Sequence, residues 1–196
     1  MKTMAIDLDD VIAANVPAFI DFSNKRWGTA LTIEDYDEHW TAMWNVDHEE
    51  GKRRALEFHA SGIVNDYGYD VAAKQVLKKL KKEYKLVIVT SRQKLIEKET
   101  LAWIDKHFKG MFDDIRFAGI WDDGIAGSHK VTKAEVIQQI GGDYLIDDQL
   151  KHCLAVAEAG VPTLLFGDYS WNQTDLLPDG VIRTHDWQAV AEYFNV

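Results

Sequence analysis

Three short runs of the chain share one grammar, an apolar stretch that stops on a polar group. Met4 to Ile6 runs into Asp7, with a second carboxylate at Asp9; Val87 to Val89 runs into Thr90, Ser91 and Arg92; Tyr144 to Ile146 runs into Asp147 and Asp148. Val161 to Phe166 is a further apolar run, and Asp114 to Ala118 a weaker one. Continuous β-branched and aliphatic runs of this length predict strands buried on both faces, the habit of a parallel sheet. Between them a 3.6-residue apolar spacing predicts helices over 71–84 and 95–108, and a closing helix over 187–194. Thr132 and Glu135 have capping-box spacing and open another helix with Lys133 in its first turn. The predicted class is therefore α/β. In such a sheet the carboxyl ends of the strands and the amino ends of the returning helices share one edge, so Asp7, Asp9, Thr90, Lys133, Asp147 and Asp148 are expected to converge there.

The interval between the first and second strands is too long for one crossover helix. It holds Phe19, Phe22, Trp27, Tyr36, Trp40, Trp44, Phe58 and Tyr67, with few β-branched runs and several helix-compatible stretches. The expected organisation is a core domain of residues 1–14 and 69–196, with residues 15–68 forming a small helical cap that has a satellite core of its own. Trp40 and Trp44, four apart, would share a helix face, serving either as cap core or as a stacking platform for a planar substrate group.

Composition narrows the function. A formal charge of −10 over 196 residues argues against a polymeric nucleic-acid partner, because affinity for a polyanion comes from Lys and Arg neutralising phosphates. One small phosphate ester remains compatible. The lysines between Lys74 and Lys85 complement an apolar stripe and are expected to form a solvated helix face. Cys153 is the only cysteine, so no internal disulfide forms, which fits a reducing cytoplasm. Three Asp in the first twenty residues argue against a secretory leader, and no membrane-length apolar run occurs; self-association stays open.

Two carboxylates held together, as in D-L-D, repel and raise one another's pKa, so they need a shared proton or a cation. Hard divalent cations such as Mg²⁺ take oxygen ligands and supply that reason. The histidines show no H-x-x-x-H spacing and a zinc site is not expected. Asp122 and Asp123, before Gly124, are expected to be turn residues, and Asp10 to face solvent.

In order, D-L-D-D-V at Asp7 to Val11, V-I-V-T at Val87 to Thr90, a lysine, and the acidic pair Asp147 and Asp148 resemble the four motifs of the haloacid dehalogenase superfamily of phosphohydrolases. The T-S-R, the L-I-D-D and the tail F-G-D-Y-S-W-N-Q with V-I-R-T-H-D-W further resemble 5′(3′)-deoxyribonucleotidases and related bacterial nucleotidase-like proteins, with Arg92 standing where proline is expected. The resemblance implies a three-layer α/β/α Rossmann-like fold and a phosphomonoester hydrolase acting on nucleoside monophosphates through an aspartyl-phosphate. Asp7 would be the nucleophile and Asp9 the acid and base. Thr90 and Lys133, or Lys130 in its place, would stabilise the transferring group. Asp7, Asp9 and Asp147 would hold Mg²⁺, Asp9 through its carbonyl, with Asp148 in support. Ser91, Arg92, Trp40 and Trp44 would contact substrate. A phosphatase for another small metabolite, and a phosphoacceptor or binding module without turnover, are the competing expectations.

Overall fold

The computed structural model describes residues 1–119 and 131–196. Six strands form one all-parallel sheet: β1 (Lys2–Ile6), β2 (Tyr84–Thr90), β3 (Asp114–Phe117), β4 (Tyr144–Asp147), β5 (Thr163–Phe166) and β6 (Val181–Thr184), in the order β3-β2-β1-β4-β5-β6. Side-chain alternation divides the core into two layers. Met4, Ile6, Leu86, Ile88, Ile146 and Leu164 pack on one face with α4 (Val71–Leu80), α5 (Glu97–Phe108) and α8 (Trp187–Phe194). Ala5, Val87, Val89 and Leu145 point the other way onto α6 (Lys133–Gln139) and α7 (Leu150–Glu158). The result is the expected three-layer α/β/α arrangement. Its strand order differs from the 2-1-3-4-5 order of phosphoacceptor receivers, so the fold departs from that alternative.

Register places the chemistry. Ile6 lies opposite Ile146, and the Asp7 amide donates to the Ile146 carbonyl at 2.9 Å, so the pairing of β1 with β4 continues one step and sets Asp7 beside Asp147. β1 is the central strand between β2 and β4, which brings Thr90 to the same sheet edge.

Between β1 and α4 lie α1 (Asn15–Trp27), α2 (Trp40–Trp44) and α3 (His48–Ala60). Asp47 caps α3 by accepting from the Glu50 amide. The expected separate satellite core is not what forms: Phe19, Trp44, Phe58 and Val64 belong to the same buried cluster as Met4, Ile6 and Leu77. Strand β6 escaped the sequence pattern, being four residues long with Ile182 exposed, an edge strand without a continuous apolar run. Among the described residues no helix is long and apolar enough to cross a membrane.

Candidate active site

The segment leaving β1 is tightly turned. The Ile12 and Ala13 amides donate to the Leu8 carbonyl at 3.0 and 2.8 Å, and the Asp10 amide donates to the Ala13 carbonyl at 2.7 Å. Asp10 sits at φ 57°, a left-handed conformation that Asp tolerates better than most residues. It does not simply face solvent. Its carboxylate accepts from the Val16 amide at 3.0 Å, its carbonyl accepts from the Tyr169 hydroxyl at 2.7 Å, and burial, aided by Asp9, pushes its pKa well above the ordinary value. Asp10 thus fastens the loop that carries Asp9.

At the sheet edge, Asp7, Asp147 and Asp148 are all buried, and one carboxylate oxygen from each lies within 4.8 Å of the others. Lys133, at the first position of α6 and 1% exposed, reaches between two of them: its ammonium is 2.7 Å from Asp7 Oδ1 and 2.7 Å from Asp147 Oδ2. The capping box of Thr132 and Glu135 forms as the spacing predicts and fixes the start of that helix. α6 has only seven residues, so the charge delivered here is the ammonium's own. Lys130, like Asp122 and Asp123, lies outside the described residues.

Asp147 Oδ1 accepts from the Gln149 amide at 2.9 Å, and Asp148 Oδ2 accepts from Trp171 Nε1 at 2.7 Å and from Gln149 Nε2 at 3.0 Å. Asn172 holds the Asp148 carbonyl at 3.0 Å. Trp171 and Asn172 belong to the F-G-D-Y-S-W-N-Q tail, so the motif that carried the resemblance also supports the site; their contact with Asp148 across 23 and 24 positions had no local signal.

Charge is unbalanced here. Three carboxylates face one ammonium. Burial pushes Asp7 up to about 7 against the opposing pull of Lys133, with Asp147 and Asp9 adding repulsion. Burial, then Asp147 and Asp7, push Asp148 well above the ordinary carboxylate value. Burial disfavours the Lys133 ammonium, but Asp147 and Asp7 outweigh it and hold its pKa above the usual one. A buried cluster with surplus negative charge and oxygen-only donors is what a hard divalent cation requires, so the residues present fit one. Asp9 contributes no carboxylate oxygen to this cluster. Arg92 binds it, with Nη2 2.7 Å from Asp9 Oδ1 and Nε 2.9 Å from Oδ2.

Thr90 is fully buried, and its Oγ1 accepts from the Arg92 amide at 3.1 Å. Among the described residues the buried Ser91 hydroxyl has no hydrogen-bond partner. The two tryptophans part company. Trp44 is 5% exposed, stacks on Phe19 at 5.3 Å and gives its N–H to Ser23 Oγ at 3.1 Å, so its ring and its donor are both engaged in packing within residues 15–68. Trp40 is only partly buried, against Phe19 at 4.5 Å and His59 at 5.6 Å.

Residues 1–195 match the family described as "5' nucleotidase, deoxy (Pyrimidine), cytosolic type C protein". The chain belongs to this family. One relative, "Putative nucleotidase YqfW" of Bacillus subtilis, is 25% identical over 202 residues, covering 100% of this chain and 94% of that protein. The fold is shared with a haloacid dehalogenase-like family hydrolase from Streptococcus pneumoniae (TM-score 0.74, 16% identity, 99% of this chain and 98% of that one). It is also shared with a HAD-superfamily hydrolase, subfamily IA, from Geobacter sulfurreducens (TM-score 0.64, 16% identity, 98% and 96%). The family thus places the chain among phosphomonoester hydrolases, on a fold shared with haloacid dehalogenase-like hydrolases.

Proposed function

We propose that the chain hydrolyses nucleoside monophosphates, with Asp7 as nucleophile and Mg²⁺ as cofactor, working in the cytoplasm, and that residues 15–68 act as the cap over a core of 1–14 and 69–196. The observation that carries this is the bridging of Asp7 and Asp147 by the buried Lys133, beside Asp148. That arrangement holds an ionisable carboxylate at a fixed oxygen while leaving room in its charge balance for a divalent cation. Asp7, Asp147 and Asp148 would hold the ion, which would neutralise charge on the transferring phosphoryl group.

The chain's own residues account for the rest. Lys133 keeps Asp7 Oδ1 in place, so the carboxylate approaches phosphorus in one orientation and forms an acyl phosphate. Ser91, with its unused buried hydroxyl, and Thr90 at the end of β2 donate to the phosphoryl oxygens. Asp9 gives a proton to the departing ester oxygen and takes one from the water that then cleaves the acyl phosphate. The nucleotide preference is supported by the family's printed description and by the nucleotidase name of the relative. Trp40, partly exposed beside His59, is the aromatic surface suited to a base.

Phosphate release from a panel of small esters, with Mg²⁺ and with excess chelator, tests this. Preference for deoxynucleoside monophosphates and loss of turnover in chelator are expected. A preference for sugar phosphates would overturn the substrate, and full activity in chelator would overturn the cation.

A further inference from the structure

We infer that Arg92 is a positioning residue for Asp9, locking that carboxylate outside the carboxylate cluster, instead of a group that binds substrate. The inference rests on the acid and base role proposed above for Asp9. Arg92 is buried, with 4% of its side chain exposed. Each guanidinium nitrogen already has a protein acceptor: Nε takes both Asp9 oxygens at 2.9 and 3.2 Å, Nη2 takes Asp9 Oδ1 at 2.7 Å, and Nη1 takes Thr100 Oγ1 at 3.1 Å. The guanidinium also lies over the Tyr67 ring, 5.3 Å from its centroid, and the Tyr67 hydroxyl donates to Asn15 Oδ1 at 2.8 Å.

This is a planar fork matched to a carboxylate and bolted at its far end to α5. Two contacts fix the plane of the Asp9 carboxyl as well as its place, which a single ammonium could not do. Asp9 Oδ2, which accepts one of these bonds where Oδ1 accepts two, keeps a second lone pair for proton transfer. The clamp also ties Asp9 to the phosphate-side hydroxyl, because the amide of Arg92 itself donates to Thr90 Oγ1 at 3.1 Å. One short segment after β2 therefore sets both the donor to the phosphoryl group and the orientation of the acid, at a position where the resemblance led us to expect proline.

Steady-state kinetics of Arg92→Lys and Thr100→Val on two esters, a deoxynucleoside monophosphate and an activated aryl phosphate, test this. For Arg92→Lys, kcat/KM, which reports the step that forms the acyl phosphate, should fall about a hundredfold on the nucleotide, where the leaving oxygen must be protonated, and less than about tenfold on the aryl ester. Inhibition by inorganic phosphate should stay within about threefold of wild type, since no substrate contact is removed. Thr100→Val, which keeps the ion pair but removes its anchor, should show the same leaving-group dependence at smaller size, and it carries the test if Arg92→Lys does not fold. Weakened phosphate inhibition, or an equal loss of kcat/KM on both esters, would overturn the inference. Wild-type enzyme inactive on every phosphate ester would overturn the hydrolase assignment instead.

Discussion

The carboxylate pocket and the aromatic cap are both buried, yet they are held by opposite means. In the pocket, Asp7, Asp147 and Asp148 crowd together, Lys133 bridges Asp7 and Asp147, and burial pushes Asp7 and Asp148 up in pKa. In the cap, Phe19 meets Trp40, Trp44 and Phe58 with centroids 4.5 to 5.3 Å apart, and every one of these contacts is satisfied by the chain itself. A region that remains electrostatically unbalanced is one whose energy depends on what it binds. A region that completes itself sets shape and stability. The same burial therefore ties the pocket's energy to ligand and pH, while the ring cluster around Phe19 contributes chiefly through packing.

Breaking the pocket should have the largest effect. Asp7→Asn replaces the nucleophile with an amide and should lower kcat by three decades or more, about 4 kcal/mol of barrier, while the circular dichroism spectrum stays that of wild type. Retention of near wild-type turnover would remove Asp7 from the chemistry.

Lys133→Met strips the pocket of its cation. At about pH 8 without metal, it should cost about 3–5 kcal/mol in denaturant unfolding, because buried carboxylates are left uncompensated. Adding Mg²⁺ should recover part of that loss. The loss should shrink near pH 5.5, because Asp7, pushed up to about 7, then carries a proton. An unchanged unfolding midpoint at both pH values would contradict the charge balance described here.

The cap should respond in stability alone. Trp44→Phe keeps the stack but strands Ser23, whose hydroxyl receives the indole N–H, and should cost about 2 kcal/mol with turnover of an aryl phosphate within about twofold of wild type. A selective loss of nucleotide turnover would place Trp44 in the substrate wall after all.

The smallest effect is a pH slope. Burial, then Arg92, hold the His59 imidazole down to about 4, and burial, then Lys133, hold His152 down to about 4. Their unfolded forms protonate near 6.5, so between these values the unfolded chain binds more protons. Stability is complete above about pH 6.5 and is lost as pH falls toward 4. His59→Asn should flatten that slope in unfolding midpoints taken across the window, and an unaltered slope would exclude His59 as a source.

The legibility of these two regions in the sequence also differs. β1, β2 and β4 are buried on both faces, so each reads as an unbroken apolar run, and its abrupt end announces Asp7, Thr90 or Asp147. Parallel pairing then brings those ends to one edge without further information. Contacts across the chain had no such signal. Arg92 meets Asp9 over 83 positions, and Trp171 reaches Asp148 over 23. In the cap, aromatic content predicted helices but not facing, because α2 is five residues long and Trp40 and Trp44 differ in exposure only through what Phe19, Ser23 and His59 do around them. The four-residue β6, buried only at its two ends, lacked the buried run that marked β1, β2, β4 and β5.

The central claim is that Asp7 forms a covalent phosphoenzyme which Asp9 helps to form and to break. Rapid acid quench of the Mg²⁺-loaded enzyme with a radiolabelled aryl phosphate tests it most directly. Wild type should show a transient hydroxylamine-sensitive label, Asp9→Asn should accumulate it because water activation fails, and Asp7→Asn should show none. A label persisting in Asp7→Asn, or active wild type and Asp9→Asn with no label at any time, would contradict the account.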